Sequence, residues 1–149
     1  MATNKDIGQE KFRNNQNKVM VNILFTHAWM VEHIKSFVKS ENLTPQQYNI
    51  LRILRGSGEP LSTLQLREKM LDKMSDTSRI VERMVAKGLV QKSVSEKDKR
   101  MVDVSITDTG LQLLENLDGK NEELDGIVHL DDHELETLNN LLDKLRNNH

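Results

Sequence analysis

The sequence predicts a mainly helical α+β domain that carries one small β-hairpin. Three observations lead to this fold class. Apolar residues recur at three- and four-residue spacing near both ends of the chain, which is the period of an amphipathic α-helix. Short segments that open with helix-capping residues occupy the middle of the chain. Between Val102 and Ile106 apolar and polar residues alternate, which is the period of a β-strand.

The first element is a long amphipathic helix, which we expect over about residues 8–39. Within it, an uncharged run from Val19 to Val31 has 13 residues and includes Asn22 and His27, so it is too short to span a membrane. The polar N-terminus lacks the apolar segment of a signal peptide. We therefore expect a soluble, cytoplasmic protein with no membrane partner. The apolar stripe of this helix consists of Met20, Ile23, Leu24, His27, Met30, Val31, Ile34 and Phe37.

Two shorter helices follow, and each begins with a capping box. In the second helix Thr44 is the expected N-cap and Gln47 completes the box, so that two backbone N–H groups at the helix start gain partners. This helix ends at Gly56-Ser57-Gly58, because glycine favours helix termination. Ser62 and Gln65 form the corresponding box at the start of the third helix.

A fourth helix and a hairpin come next. We expect Asp72 to cap the fourth helix and Gly88 to end it, with an inward stripe of Ile80, Val81, Met84 and Val85. Two strands over about residues 89–94 and 101–106 then form a hairpin. Its tip carries more charge than a tight turn requires, in the consecutive residues Glu96, Lys97, Asp98, Lys99 and Arg100.

Two final helices complete one domain of 149 residues. We expect them over about residues 108–127 and 132–146, the second capped by Asp131. Short helices joined by a tight turn and followed by a two-stranded hairpin are typical of a winged helix-turn-helix, here over about residues 44–107. The alternative at this point is a generic small α+β domain.

Composition and charge narrow the function classes. The chain has no cysteine, which excludes disulfides, thiolate metal sites and a thiol redox switch. No Ser/His/Asp or Cys/His arrangement, paired carboxylates or glycine-rich phosphate loop stands out, so we expect neither an enzyme nor a cofactor. Residues 67–100 hold ten Lys or Arg against six Asp or Glu, whereas residues 108–146 hold three against eleven. One part of the molecule is therefore basic and another strongly acidic, a segregation that a uniformly solvated surface would not need.

The basic segment resembles the MarR family of winged-helix transcriptional regulators. The resemblance lies in QLREKMLDKMSDTSRIVERMVAKGLV at residues 65–90, followed by DKRMVDVSIT at 98–107 and by Gly110. The spacing of these residues agrees with the family pattern across the fourth helix, which corresponds to the family's recognition helix, and across its exit at Gly88. It also agrees at the hairpin tip and at the start of the following helix. The resemblance extends more loosely to the flanking helices. The chain departs from the family pattern at Lys99, where Arg is usual, and at Leu71, where a small turn residue is common.

The fourth helix carries residues suited to reading DNA. An α-helix fits the major groove and presents the polar side chains of its first turns to base edges. Arg79 can donate two hydrogen bonds to a guanine, and Asp76 can accept one from a cytosine amino group. Ser75 and Ser78 can bond bases or phosphates, and Arg83 can reach a phosphate or pair with a nearby acid. The alternative is an ordinary exposed helix face.

The charged hairpin tip suits the minor groove, whose negative potential attracts a cation. Arg100 is the candidate for that role, with Asp98 holding its guanidinium, and the resemblance assigns the matching residues the same roles. Lys97 and Lys99 would contact phosphates, which position a protein without reading sequence. The alternative is a solvated charged turn. The predicted DNA-binding residues are therefore Lys73, Ser75, Asp76, Ser78, Arg79, Arg83, Lys97, Asp98, Lys99 and Arg100.

The resemblance also implies a homodimer that binds double-stranded DNA. Helices over about residues 8–39 and 108–146 would intertwine between two chains, and their leucines supply more apolar stripe than one winged domain needs. The two recognition helices would then lie about 34–36 Å apart, one DNA turn, which implies a pseudo-palindromic operator. An intramolecular helical cap on a monomer is the alternative.

The family commonly responds to small aromatic or anionic ligands, which suggests a ligand-responsive repressor. Candidate ligand contacts are Trp29, Met30, His33 and Tyr48, each of which could equally belong to the core. His129 and His133 are four residues apart and could ligate zinc, but a pair of surface histidines is the simpler interpretation, so we predict no metal site. The alternative function is a winged-helix protein–protein interaction module without specific DNA binding.

Overall fold

The computed structural model describes residues 11–147 of the chain. Within that range the structure is mainly helical and includes one small antiparallel sheet, which confirms the predicted fold class. In chain order the elements are α1 (Asn15–Lys39), α2 (Pro45–Ser57), β1 (Leu61–Ser62), α3 (Thr63–Lys69), α4 (Thr77–Ala86), β2 (Val90–Val94), β3 (Val102–Ile106), α5 (Asp108–Asp118), α6 (Asn121–Asp125) and α7 (Asp132–Arg146).

The capping boxes of α2 and α3 are confirmed. Thr44 Oγ1 accepts a hydrogen bond from Gln47 N at 3.1 Å, while the Gln47 side chain accepts one from Thr44 N at 3.1 Å. Ser62 and Gln65 exchange the same pair of bonds at the start of α3. Gly58 ends α2 with a left-handed backbone, φ 68°, a conformation that glycine adopts without steric cost.

The starts of α1 and α4 differ from the prediction. The helix expected from about residue 8 begins at Asn15, because Asn14 has an extended backbone and its side chain accepts from Asn17 N at 2.8 Å. Residues 8–10 of that prediction lie outside the described part of the chain. Asp76 rather than Asp72 caps α4. The Asp72 carboxylate instead accepts a hydrogen bond from a backbone N–H group inside the preceding turn.

The helix expected over residues 108–127 is two helices. Between α5 and α6 the chain passes through Gly119, and glycine lowers helix stability. Lys120 then leaves the helical conformation, with φ −116° and ψ 11°. Asp118, the last residue of α5, is held by a two-bond ion pair with Arg55 of α2, at 2.6 and 3.2 Å. The hydrogen bonds from Arg55 lower the pKa of Asp118 and connect the end of α5 to α2.

The sheet has the strand order β1-β3-β2, with one strand more than the predicted hairpin. In this added pairing Leu61 lies opposite Val104, and Ser62 lies opposite Asp103. Two residues are too few to produce a recognisable alternation, which is why the sequence did not reveal β1. The predicted hairpin itself is present, as β2 and β3 pair antiparallel from Val90 to Val94.

The core lies where α2, α3, α4 and α5 pack against each other and against the sheet. Its most fully buried side chains include Ile50, Leu51, Leu66, Val81, Met84, Val104, Leu114 and Leu117. At the start of α5 a Cβ on Gly110 would lie 2.5 Å from Leu89 O, so only glycine allows the helix this close to the sheet. Thr107 fixes the same junction, because its hydroxyl donates to Gly88 O at 2.6 Å.

The two longest helices contribute little to this core. α1 buries only Phe37 and Val38, near its C-terminal end, and α7 buries no residue. Large apolar side chains are exposed along both, in the set Val19, Met20, Ile23, Leu24, Phe25, Trp29, Met30, Leu138, Leu141 and Leu145. No helix in residues 11–147 is long and apolar enough to cross a membrane.

Candidate nucleic-acid interface

Helix α4 has one buried and one exposed face. Thr77, Val81 and Met84 follow each other at helical spacing and are buried against the domain. The opposite face carries exposed Ser78, Arg79 and Arg83 at the surface. A helix anchored on one side and polar on the other is the geometry that a major groove accepts.

The first turn of α4 is organised by Asp76. Its Oδ1 accepts a hydrogen bond from Arg79 N at 3.2 Å, and its Oδ2 lies 3.7 Å from Arg79 Nε. The carboxylate expected to read a cytosine therefore caps the helix in the free protein and lies beside the arginine expected to read a guanine. Ser75, one residue earlier, is half-buried.

The predicted DNA-binding residue Lys73 lies in the turn between α3 and α4. Lys73 is exposed and its Nζ donates to Glu68 O, near the C-terminal end of α3. Lysine bound to a terminal carbonyl stabilises a helix end, since that carbonyl has no partner within the helix. The turn is also shaped by Asp72, which accepts from Met74 N at 3.0 Å. That hydrogen bond is the main reason the pKa of Asp72 lies below its usual value.

The hairpin tip is built around the Asp98–Arg100 pair. Asp98 accepts two hydrogen bonds from the Arg100 guanidinium, each at 3.0 Å, and a third from Arg100 N at 3.1 Å. The loop itself is closed by Ser95, whose buried hydroxyl accepts from Asp98 N at 3.3 Å. Arg100 lowers the pKa of Asp98, so the pair persists until the pH falls through that lowered pKa. The Arg100 side chain is nevertheless 89% exposed.

Two contacts that the sequence did not reveal fix α4 relative to its surroundings. Lys92 of β2 forms an ion pair with Glu82 of α4, which joins α4 to the β2–β3 hairpin, the wing of this fold. At the C-terminal end of α4, Lys87 Nζ donates to Asn42 O at 2.6 Å, in the turn between α1 and α2. Each pair comes from different elements and appears only when they pack, so no local sequence signal identifies it.

The candidate ligand residues are only partly brought together. His33 lines a cavity of about 200 Å³ between α1 and α6, together with Ser36, Phe37, Glu123, Leu124 and Ile127. Trp29 packs edge-on against His33, with ring centroids 4.7 Å apart, and Met30 is exposed on the same helix. Tyr48 is buried against Phe37 in the core and does not line this cavity.

The candidate metal ligands lie on the surface. His129 and His133 are exposed in the connection between α6 and α7 and at the start of α7. Within residues 11–147 no group of three or more His, Asp or Glu side chains is arranged to hold a metal ion.

A polar recognition helix beside a hairpin with a fixed cation defines a winged helix-turn-helix protein. The model of the MarR family matches residues 41–101, which include α2, α3, α4 and the hairpin tip. The chain is 31% identical to the HTH-type transcriptional repressor IacR of Pseudomonas putida over 98 residues, covering 66% of the chain and 58% of IacR. It is 30% identical to the repressor MdtR of Bacillus subtilis over 73 residues, covering 49% of the chain and 46% of MdtR. Over its winged helix-turn-helix segment the chain is similar to the MarR family.

The chain thus matches about half the length of these curated relatives. Solved structures extend the similarity in fold to nearly all of the chain. A MarR variant from E. coli, complexed with operator DNA, has a TM-score of 0.77 at 21% identity and covers 92% of this chain and 99% of its own. The organohalide-sensing regulator RdhR, bound to 2,4-dichlorophenol, has a TM-score of 0.79 at 21% identity, covering 93% and 86%.

Proposed function

We propose that the protein binds double-stranded DNA sequence-specifically and regulates transcription. The observation that carries this proposal is the state of Arg100. Three hydrogen bonds from its guanidinium and backbone N–H hold it to Asp98, while its side chain remains 89% exposed. A cation fixed in place and left in solvent is prepared for an anionic partner, because little side-chain freedom is lost on binding. Lys97 and Lys99 are exposed beside it.

Helix α4 and the β2–β3 hairpin, which both carry exposed cations, contact different parts of the DNA. α4 enters the major groove, where Arg79 and Ser78 meet base edges at its N-terminal turns. The wing follows the backbone to the adjacent minor groove, where Arg100 meets the strongest negative potential. The Glu82–Lys92 ion pair keeps the two elements at a fixed separation, so that both engage one half-site together.

The protein acts as a homodimer held by α1 and α7. Their exposed apolar side chains have too few partners within one protomer, and burying them against a second copy stabilises the assembly. Two-fold symmetry then places two α4 helices about one DNA turn apart. The acidic segment over residues 108–146, which repels phosphates, lies on the side of the dimer away from the DNA.

A small ligand releases the repressor from its operator. The cavity beside His33 and Phe37 lies at the end of α1, and the Lys87–Asn42 hydrogen bond connects the turn after α1 to α4. A ligand that binds one arrangement of these helices better than the other changes the separation of the recognition helices. The repressor names of the curated relatives and the ligand-bound RdhR structure support this proposal.

Salt dependence separates DNA binding from a protein–protein interaction module. We expect affinity for duplex DNA to fall on the order of a thousand-fold between 50 and 200 mM salt, because phosphate contacts release counterions. Fluorescence anisotropy with a labelled duplex measures this. Replacing Lys97 and Lys99 with Gln is expected to reduce the slope of log affinity against log salt by about four per dimer. Lys144→Gln, on α7, is the matched control and leaves the slope unchanged. A flat salt response would contradict the proposal.

A further inference from the structure

The turn before the recognition helix carries two apolar side chains in open solvent. Leu71 is 85% exposed and Met74 is 92% exposed, more than any other large apolar side chain in the part of the chain that the structure describes. Single exposed apolar residues are ordinary, but two in one short turn are an apolar patch.

The backbone under this patch is fixed. Leu71 N donates to Asn49 Oδ1 of α2 at 2.9 Å, and Met74 N donates to Asp72 Oδ1 at 3.0 Å. Ser75 N also bonds Asp72 O at 3.3 Å. The two side chains therefore project from an ordered turn, so their exposure follows from a specific local structure.

The patch lies immediately before α4. Met74 comes two residues before the N-cap Asp76, and the N-terminal end of a recognition helix is the part that points into the major groove. Exposed Lys73 precedes it and exposed Arg79 follows five residues later. The nearer carboxylates, Asp72 and Asp76, each accept a backbone hydrogen bond, from Met74 N and Arg79 N. An apolar side chain at the start of a recognition helix is placed to meet an apolar group in the major groove.

We propose that Met74 contacts the 5-methyl group of a thymine and thereby selects an A·T pair at one position of each half-site. This inference rests on the proposed DNA-binding function. The thymine methyl is the apolar group that the major groove displays, and it distinguishes thymine from the other bases. The unbranched thioether of methionine adapts its shape to such a group. The contact involves no charge and leaves the salt dependence of binding unchanged.

Replacing thymine with uracil tests the contact directly, because uracil pairs with adenine identically but lacks the methyl group. The duplex is the site that the purified protein selects from a random pool, with each thymine replaced in turn. We expect one position per half-site at which uracil weakens wild-type binding about four-fold, the effect of one lost methyl contact. In Met74→Ala that position becomes insensitive to uracil, while in the matched control Leu71→Ala it stays sensitive.

The outcomes separate this inference from the function on which it rests. If the protein selects a site but Met74→Ala retains the full uracil effect, or uracil has no effect at any position, the thymine contact is overturned and DNA binding stands. If Met74→Ala leaves every DNA affinity unchanged, Met74 makes no contact with DNA and the proposal is likewise overturned. If no site is selected at all, the proposed function itself fails. Circular dichroism of both alanine variants checks that these surface substitutions leave the fold intact.

Discussion

Arg100→Ala is expected to weaken binding to the selected site by about a hundred-fold. Each dimer loses two minor-groove cations, and an arginine that contacts a base edge typically contributes about 1–3 kcal/mol. Because Asp98 already orients the Arg100 guanidinium, the wild-type side chain loses little conformational freedom when it binds. Anisotropy titrations of the wild type and the variant at one fixed salt concentration measure the loss.

Lys99→Ala is the matched control, since it removes one positive charge from the same hairpin tip. A phosphate contact positions the protein on any sequence, so this variant is expected to lose affinity less and equally for the selected and unrelated duplexes. Asp98→Asn keeps Arg100 but removes the carboxylate that holds it, and we expect a loss between those of the other two variants. If Arg100→Ala and Lys99→Ala lost the same affinity on every duplex, Arg100 would have no special role.

Leu141→Asp is expected to dissociate the dimer. Leu138, Leu141 and Leu145 are exposed at helical spacing and form the leucine stripe of α7. The proposed interface buries Leu141 against the second copy. A carboxylate buried there without a partner costs several kcal/mol, so we expect the dimer dissociation constant to rise by at least about a hundred-fold. Sedimentation velocity at micromolar concentration measures the change. Binding to a two-fold site falls with it, because each monomer then engages only one half-site.

Asn140→Asp provides the control for charge and helix stability. Asn140 is exposed about half a turn around α7 from Leu138, so the same carboxylate there points away from the leucine stripe. This variant is expected to remain a dimer. A wild-type protein that sediments as a monomer would contradict the proposed assembly, as would a Leu141→Asp variant that stays dimeric.

Features that depend on neighbouring residues could be predicted from the sequence. The capping boxes at Thr44 and Ser62 involve residues three apart, and the structure has both. The Asp98–Arg100 contact spans two residues and was expected for the same reason. The start of α4 was predicted wrongly because Asp72 and Asp76 both precede its apolar stripe at plausible spacing. Packing decides between them, since the hydrogen bond from Leu71 N to Asn49 fixes the turn.

Features that depend on distant packing could not be predicted. The strand β1 exists only because its two residues pair with β3, some forty residues later in the chain. The Glu82–Lys92 and Lys87–Asn42 contacts likewise join separate elements. Tyr48 was a candidate ligand residue, yet its ring packs against Phe37 in the core, because a lone aromatic residue gives no sign of which way it faces. The exposure of Met74 also becomes visible only when the turn is folded.

A dimer of this protein is expected to place two recognition helices on one two-fold DNA site. The direct measurement is selection of bound duplexes from a random pool by the purified wild-type protein. We expect enrichment of an inverted repeat whose half-sites lie about 10 base pairs apart, centre to centre. Enrichment of a single unpaired motif, or no enrichment even at low salt, would contradict it.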